Sequence, residues 1–206
     1  EEQVVKIDYD NVSFETGAMS IISAFPMAAI RKTRLEIGES AIVMGLGILG
    51  MTAVKLLHCA GAVPIIAADI NAARRDIALK NGADYALDPM DCGFADKVKQ
   101  LTGGGVNVAI EVTGVGAGFN EALDCMAKFG RVALLGCTRS SDFTVDYYNK
   151  IHAPGITVIG VHTNARPKYE SHPGFFTHKD DISAALRLCG CGRLNLESLI
   201  EETYLP

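Results

Sequence analysis

A chain of 206 residues, 49% hydrophobic and 21% charged, can bury a substantial core; its net charge of −5 and lack of any basic run argue against a nucleic-acid partner. No apolar stretch approaches the ~18 residues a membrane span needs, and the opening EEQVVKIDYD is not a signal peptide. The six cysteines form no CxxC and mostly sit in apolar contexts, which reads as reduced, packed thiols of a cytoplasmic protein. Cys189 and Cys191 are the one close pair, with no third ligand near them.

Residues 16–34 read as a mostly apolar helix in which Pro26 marks a kink or break. A short apolar run, 41–44, precedes a helix over 48–60 with Leu49, Ala53, Leu56, Leu57 and Ala60 on one face. A second run, 63–68, leads to a helix over 71–81, stopped by Gly82. Strand 85–87 is closed by Asp88-Pro89, and helix 91–101 ends at the glycines 103–105. Strand 106–112, helix 118–128, strand 131–136 and strand 156–161 follow. The segments 138–150 and 162–177 are polar loops; 178–189 is an amphipathic helix with Asp180 and Asp181 in its first turn, where the helix dipole favours them.

The strands are continuous apolar runs, as expected of parallel strands covered on both faces. Their alternation with helices predicts an α/β fold: a doubly wound parallel six-stranded sheet (Rossmann fold) in the order 3-2-1-4-5-6.

Between the first strand and its helix stands Gly45-Leu-Gly47-Ile-Leu-Gly50, a GxGxxG. The first glycine permits a tight turn, the second lets backbone approach a pyrophosphate, and the third lets helix pack on strand. A diphosphate would then rest on the free N–H groups that open the helix, around Ile48 and Leu49. Alone, the motif is equally a packing turn. Asp69, 19 residues past Gly50 at the end of the second run, adds support, because a carboxylate there can accept both ribose hydroxyls of an adenosine. It could also cap the next helix. Ile70 and Arg74 stand beside it. Arg74 and Arg75 could hold a 2′-phosphate, but Asp69 would face that phosphate with like charge, so NAD is expected over NADP. Glu111-Val-Thr113-Gly114, at the end of strand four, lies across the sheet from the glycine turn, where a ligand's second half would fall.

Taken together these residues resemble the cofactor domain of the medium-chain dehydrogenase/reductase superfamily, the zinc-type alcohol and polyol dehydrogenases. The stretch from Leu35 through Gly38 to Gly47, the turn Asn81-Gly82-Ala83-Asp84, Glu111-Val-Thr-Gly114, the run from Phe129-Gly130-Arg131 to Gly136, and Val158-Ile159-Gly160 follow the family's order. Gly192-Arg193-Leu194-Asn195 with Leu199-Ile200 resembles its closing helix end and last strand. The resemblance runs from about Asn11 to Ile200. It implies a single dinucleotide-binding domain over 1–206, with the Rossmann core at about 35–165 and the family's catalytic barrel domain missing. It places Thr113, Leu135, Gly136 and Ile159 along the nicotinamide end. Where the family can supply a late zinc ligand, this chain reads Met19-Ser20-Ile21-Ile22-Ser23, poor zinc donors. No metal ligand and no catalytic acid or base is expected here; zinc is possible in the parent enzyme.

The expected function is hydride transfer between NAD and an alcohol or polyol by that parent enzyme, with this chain inactive alone. Two alternatives stay open: an S-adenosylmethionine-dependent methyltransferase, and a non-catalytic nucleotide-sensing module. Strand 156–161, β-branched and at the expected sheet edge, predicts a homodimer through that edge, as in the resembled family.

Overall fold

A computed structural model describes residues 4–136, 143–200 and 202–203. Its centre is the short, fully buried strand β1 (Ala41–Met44), flanked in parallel by β2 (Ile65–Ala68) and β4 (Val106–Glu111). With β3 (Tyr85–Leu87), β5 (Met126–Leu134) and β6 (Thr157–Gly160) these form a six-stranded sheet ordered 3-2-1-4-5-6, all parallel, as the sequence predicts. Alternate residues of each strand leave on opposite faces, so β1 feeds two cores. Val43 joins Val54, Leu57, Ile65 and Ile110 on one side. Ile42 and Met44 join Ile66, Phe94, Val98 and Val132 on the other.

The first core is roofed by α1 (Phe14–Thr33), α2 (Ile48–Ala60) and α6 (His178–Gly190), the second by α4 (Phe94–Thr102) and α5 (Gly116–Asp124). Helix α3 (Ala72–Lys80) covers the β2–β3 edge. Helix α1 is capped by Ser13, whose Oγ accepts from the Thr16 N–H at 3.2 Å, and ends on Arg34 in the left-handed region (φ 51°). Pro26 does not break it into two elements. The half-turn around that proline is buried with Ala24, Met27, Ala28 and Ile30, and tertiary packing outweighs one lost helical hydrogen bond.

Other boundaries move for local reasons. The second strand starts at Ile65 rather than 63, because Pro64 has no N–H to give the ladder. The fourth helix begins at Phe94, not 91, after Gly93 takes a left-handed turn at φ 77°. The largest shift is at α5, expected over 118–128 but spanning Gly116–Asp124. The chain turns at Cys125 and enters β5 at Met126, five residues earlier than expected. Gly105 explains this: a Cβ there would lie 2.5 Å from the backbone of Met126 and Ala127, so the two segments press together and pair before the helical pattern runs out. At the other end β5 stops at Leu134, and Leu135 and Gly136 lie beyond the ladder. The region expected to close the chain as a last strand is a 3-10 turn, Glu197–Leu199. Of loop 138–150, residues up to 142 lie outside the described residues, as does Cys137; its end is a π-helical turn, Tyr148–His152.

The loop 162–177 is strapped down by charge. Lys32, 8% exposed, donates to the Gly160 and Ala165 carbonyls at 3.1 and 2.7 Å. Arg166 donates to the Ala24 carbonyl (2.6 Å) and to Asp181 Oδ2 (2.8 Å). Arg31 takes Asp181 Oδ1 at 2.6 Å. Burial pushes the Asp181 carboxyl up to about 6, against the pull of the two guanidiniums, which leaves it ionised at neutral pH. Asp180, its neighbour, does something else: it accepts from Thr177, the α6 N-cap, and from Ser171.

Candidate functional site

The three glycines of the first turn differ in what holds them. Gly45 sits in the left-handed region (φ 94°), with Thr113 Cγ2 3.0 Å from where a Cβ would stand. Gly50 has no room at all, since its Cβ would fall 1.8 Å from the Gly45 carbonyl oxygen, which brings α2 directly onto the turn. Gly47 is the opposite: at ordinary φ (−67°), with nothing within 4 Å of a built Cβ. It is the α2 N-cap, no side chain caps that helix, and no acid stands in its first turn. The positive end of α2 therefore faces open space at Gly47, with no side chain capping its first-turn N–H groups.

That space is a cleft of about 1190 Å³ at the carboxyl end of the sheet. Gly45, Gly47, Ile48, Leu49, Asp69, Ile70, Arg74 and Thr113 all line it. Gly50 lies behind it as packing. Leu135, Gly136 and Ile159 are not among its lining; they stand at or just past the carboxyl ends of β5 and β6, with Leu135 9% exposed and Ile159 packed against the first core.

Asp69 is 7% exposed and held on both oxygens: Oδ2 accepts the Leu46 N–H at 2.7 Å and Oδ1 the Asn71 N–H at 2.8 Å. The side chain thus ties the glycine turn to the end of β2. It does not cap α3; Asn71 does that, accepting from Ala73 N–H at 2.9 Å and Arg74 N–H at 3.3 Å. Each carboxylate oxygen keeps a second lone pair for a ligand hydroxyl. Arg75 is committed, donating to the Asp69 carbonyl (2.7 Å) and to Asp88 (2.9 Å). Arg74 is half exposed, with Nη1 3.8 Å from Asp69 Oδ2.

Two walls escaped the sequence reading. Val115, 55% exposed, faces the cleft as Ile70 does at 70%, a pair of apolar surfaces suited to a flat ring. The loop after β3, including Met90, Cys92 and Gly93, closes the far side. Their signal was available: each is an exposed-type apolar residue or turn just past a strand end on the same side of the sheet as Asp69.

Among the described residues no group of three or more His, Cys, Asp or Glu could hold a metal ion. No helix is long and apolar enough to cross a membrane.

Sheet order, crossovers and glycine turn define a Rossmann-type α/β protein. The zinc-binding dehydrogenase family model matches residues 49–175, and the chain belongs to that family, the medium-chain, zinc-type alcohol and polyol dehydrogenases. It is 33% identical over 201 residues to (R,R)-butanediol dehydrogenase of Bacillus subtilis, covering 97% of this chain and 53% of that one. It is 36% identical over 180 residues to D-guloside 3-dehydrogenase of Escherichia coli, covering 86% and 50%. The crystal structure of 2R,3R-butanediol dehydrogenase from Bacillus subtilis superposes with a TM-score of 0.78 at 28% identity, over 92% of this chain and 50% of that one. A zinc-binding dehydrogenase from Sinorhizobium meliloti, bound to NADP, shares the fold at TM-score 0.74 and 22% identity. The chain spans about half the length of the curated relatives it matches. These relatives favour a dehydrogenase over the methyltransferase and sensing alternatives.

Proposed function

We propose that this chain is the NAD-binding portion of an enzyme that transfers hydride between NAD and an alcohol or polyol. In this reading residues 35–165 are its Rossmann core, and the substrate pocket and any zinc ligands lie in a catalytic domain outside residues 1–206. The observation that carries it is the open space at Gly47: a helix N-terminus without a side-chain cap facing a large cleft, with Asp69 fixed beside the same turn by the Leu46 N–H. The diphosphate would lie on the α2 amides of Ile48 and Leu49. Asp69 would take the adenosine ribose, with Ile70 and Val115 flanking adenine and Arg74 at the rim. The nicotinamide half would reach past Thr113 towards Leu135, Gly136 and Ile159. When bound, the cofactor supplies the hydride chemistry; these residues bind and orient it.

The choice of NAD over NADP rests on Asp69. It is buried and already placed by two main-chain donors, so a 2′-phosphate would meet a fixed carboxylate. Arg74 is the one arginine of the pair left to answer it. NADH should bind at least about tenfold tighter than NADPH, and Asp69→Ala should shrink that ratio. Fluorescence titration with both cofactors checks this; equal or better NADPH binding by the unmutated chain would sink the assignment.

We further propose a homodimer through strand 156–161. Within β6 only Ile159 is half-buried, Val158 is 38% exposed, and the following loop is drawn onto α1 and α6 by Lys32 and Arg166 rather than laid over the edge. An uncovered parallel edge can satisfy its own copy across a two-fold axis. Val158→Lys should turn a sedimenting dimer into monomer; a wild-type chain that sediments as monomer at micromolar concentration overturns this. The buried free thiols of Cys125 and Cys189, pushed up by burial to about 12 and about 11, suit the reducing cytoplasm.

A further inference from the structure

At the end of β4, paired beside the strand that leads into the glycine turn, is a carboxylate the site as built does not use. Glu111 ends β4 and is 2% exposed. Its Oε1 accepts the N–H groups of Thr113 (2.7 Å) and Gly114 (3.2 Å), and also a short hydrogen bond from the Thr113 hydroxyl. Its main-chain oxygen accepts from both Leu135 (2.9 Å) and Gly136 (2.7 Å). One residue therefore fastens the chain leaving β4 to the chain leaving β5. Gly136 is pressed into this joint: a Cβ there would lie 2.4 Å from the Gly114 nitrogen and 2.9 Å from Glu111 Oε2.

The joint reaches the glycine turn through Thr113. Its hydroxyl, spent as a donor on Glu111, accepts in turn from the Val115 N–H at 3.2 Å. A Cβ at Gly118 would fall 2.4 Å from that hydroxyl oxygen, and one at Gly45 would fall 3.0 Å from the Thr113 methyl. Thr113 is thus wedged between two glycines in the orientation Glu111 dictates. Three donors converge here from adjacent residues, and the Gly114 N–H reaches both carboxylate oxygens (3.2 and 3.3 Å), so an amide in this place would turn its own NH2 towards that donor.

We propose that Glu111 is a positioning residue for the dinucleotide, holding Thr113 and Gly114 against the glycine turn and the end of β5 so that the nicotinamide half meets a preformed wall. The proposal rests on the NAD reading above. Preformed walls raise affinity by removing the ordering cost at binding.

The test titrates the chain with NADH and with AMP, which lacks the nicotinamide half, and follows melting of each variant. Glu111→Ala should weaken NADH binding by about tenfold and AMP binding by less than about twofold, with Glu111→Gln between wild type and alanine. Thr113→Val, which keeps shape and loses the hydroxyl, should follow the same pattern. NADH and AMP weakened equally, or NADH binding unchanged in both the Gln and Val variants, overturns the proposal; these two also decide it if the alanine variant fails to fold. If the unmutated chain binds neither NADH nor AMP, the NAD reading itself has failed. AMP and NADH bound by wild type with no change in the variants removes only the role of Glu111.

Discussion

Gly47→Val is expected to leave the chain folded and to weaken NADH binding by about a hundredfold or more. The structure separates this glycine from its two neighbours. A side chain at Gly50 would collide with the Gly45 carbonyl, and one at Gly45 would be strained by its positive φ whatever the space. Gly47 has neither obstacle, so valine there meets only the cleft. A glycine N-cap contributes no side-chain hydrogen bond to lose, and the extended backbone suits a β-branched residue. The melting temperature should shift by no more than about 3 °C. The added methyls would stand where a diphosphate must approach the α2 amides. A folded Gly47→Val protein with wild-type NADH affinity would show the turn to be packing alone.

How much of this the sequence could show depends on how local each cause is. The sheet order and the glycine turn were legible because buried parallel strands leave continuous apolar runs and the turn's spacing is a local geometric demand. Element ends were less so. The pattern over 118–128 is helical, but the contact of Gly105 with Met126 and Ala127, more than twenty residues on in the chain, ends α5 early and starts β5. Pro26 shows the reverse: a strong local breaker held in a helix by the core packed around it. In the candidate site, Asp69 could be placed by its interval from the glycines, but its bond to Leu46, which joins the turn to β2, comes only from the fold. In sequence Glu111 stands out only as part of a motif; that its carboxylate serves Thr113 and Gly114 is side-chain geometry that no spacing encodes.

Asp180 and Asp181 show the same limit, and they supply the second large effect. In sequence they are equivalent acids in the first turn of α6. In the fold Asp180 is exposed and serves the cap, while Asp181 is fully buried between Arg31 and Arg166, partners 150 and 15 positions away. Lys32 stands nearby, bonded to carbonyls rather than to an acid. His178, whose Nδ1 lies 3.2 Å from Arg166, is pulled down by burial and by that guanidinium, which favours its neutral form. Asp181 is therefore the carboxylate on which two guanidiniums both rest, Arg166 nearly buried and Arg31 partly exposed. Removing one partner of a buried ion pair strands the others without solvent or counter-charge. Asp181→Ala should cost about 3–5 kcal/mol of stability. Asp180→Ala should cost about 1 kcal/mol, the worth of a capping contact at the surface. Urea unfolding of the two variants gives the comparison. The same loss should free Arg166 and loosen the segment beyond Gly160, so Asp181→Ala should also expose that segment to faster amide exchange than Asp180→Ala does. Equal losses from the two substitutions would mean that the two arginines do not depend on Asp181 for their charge balance.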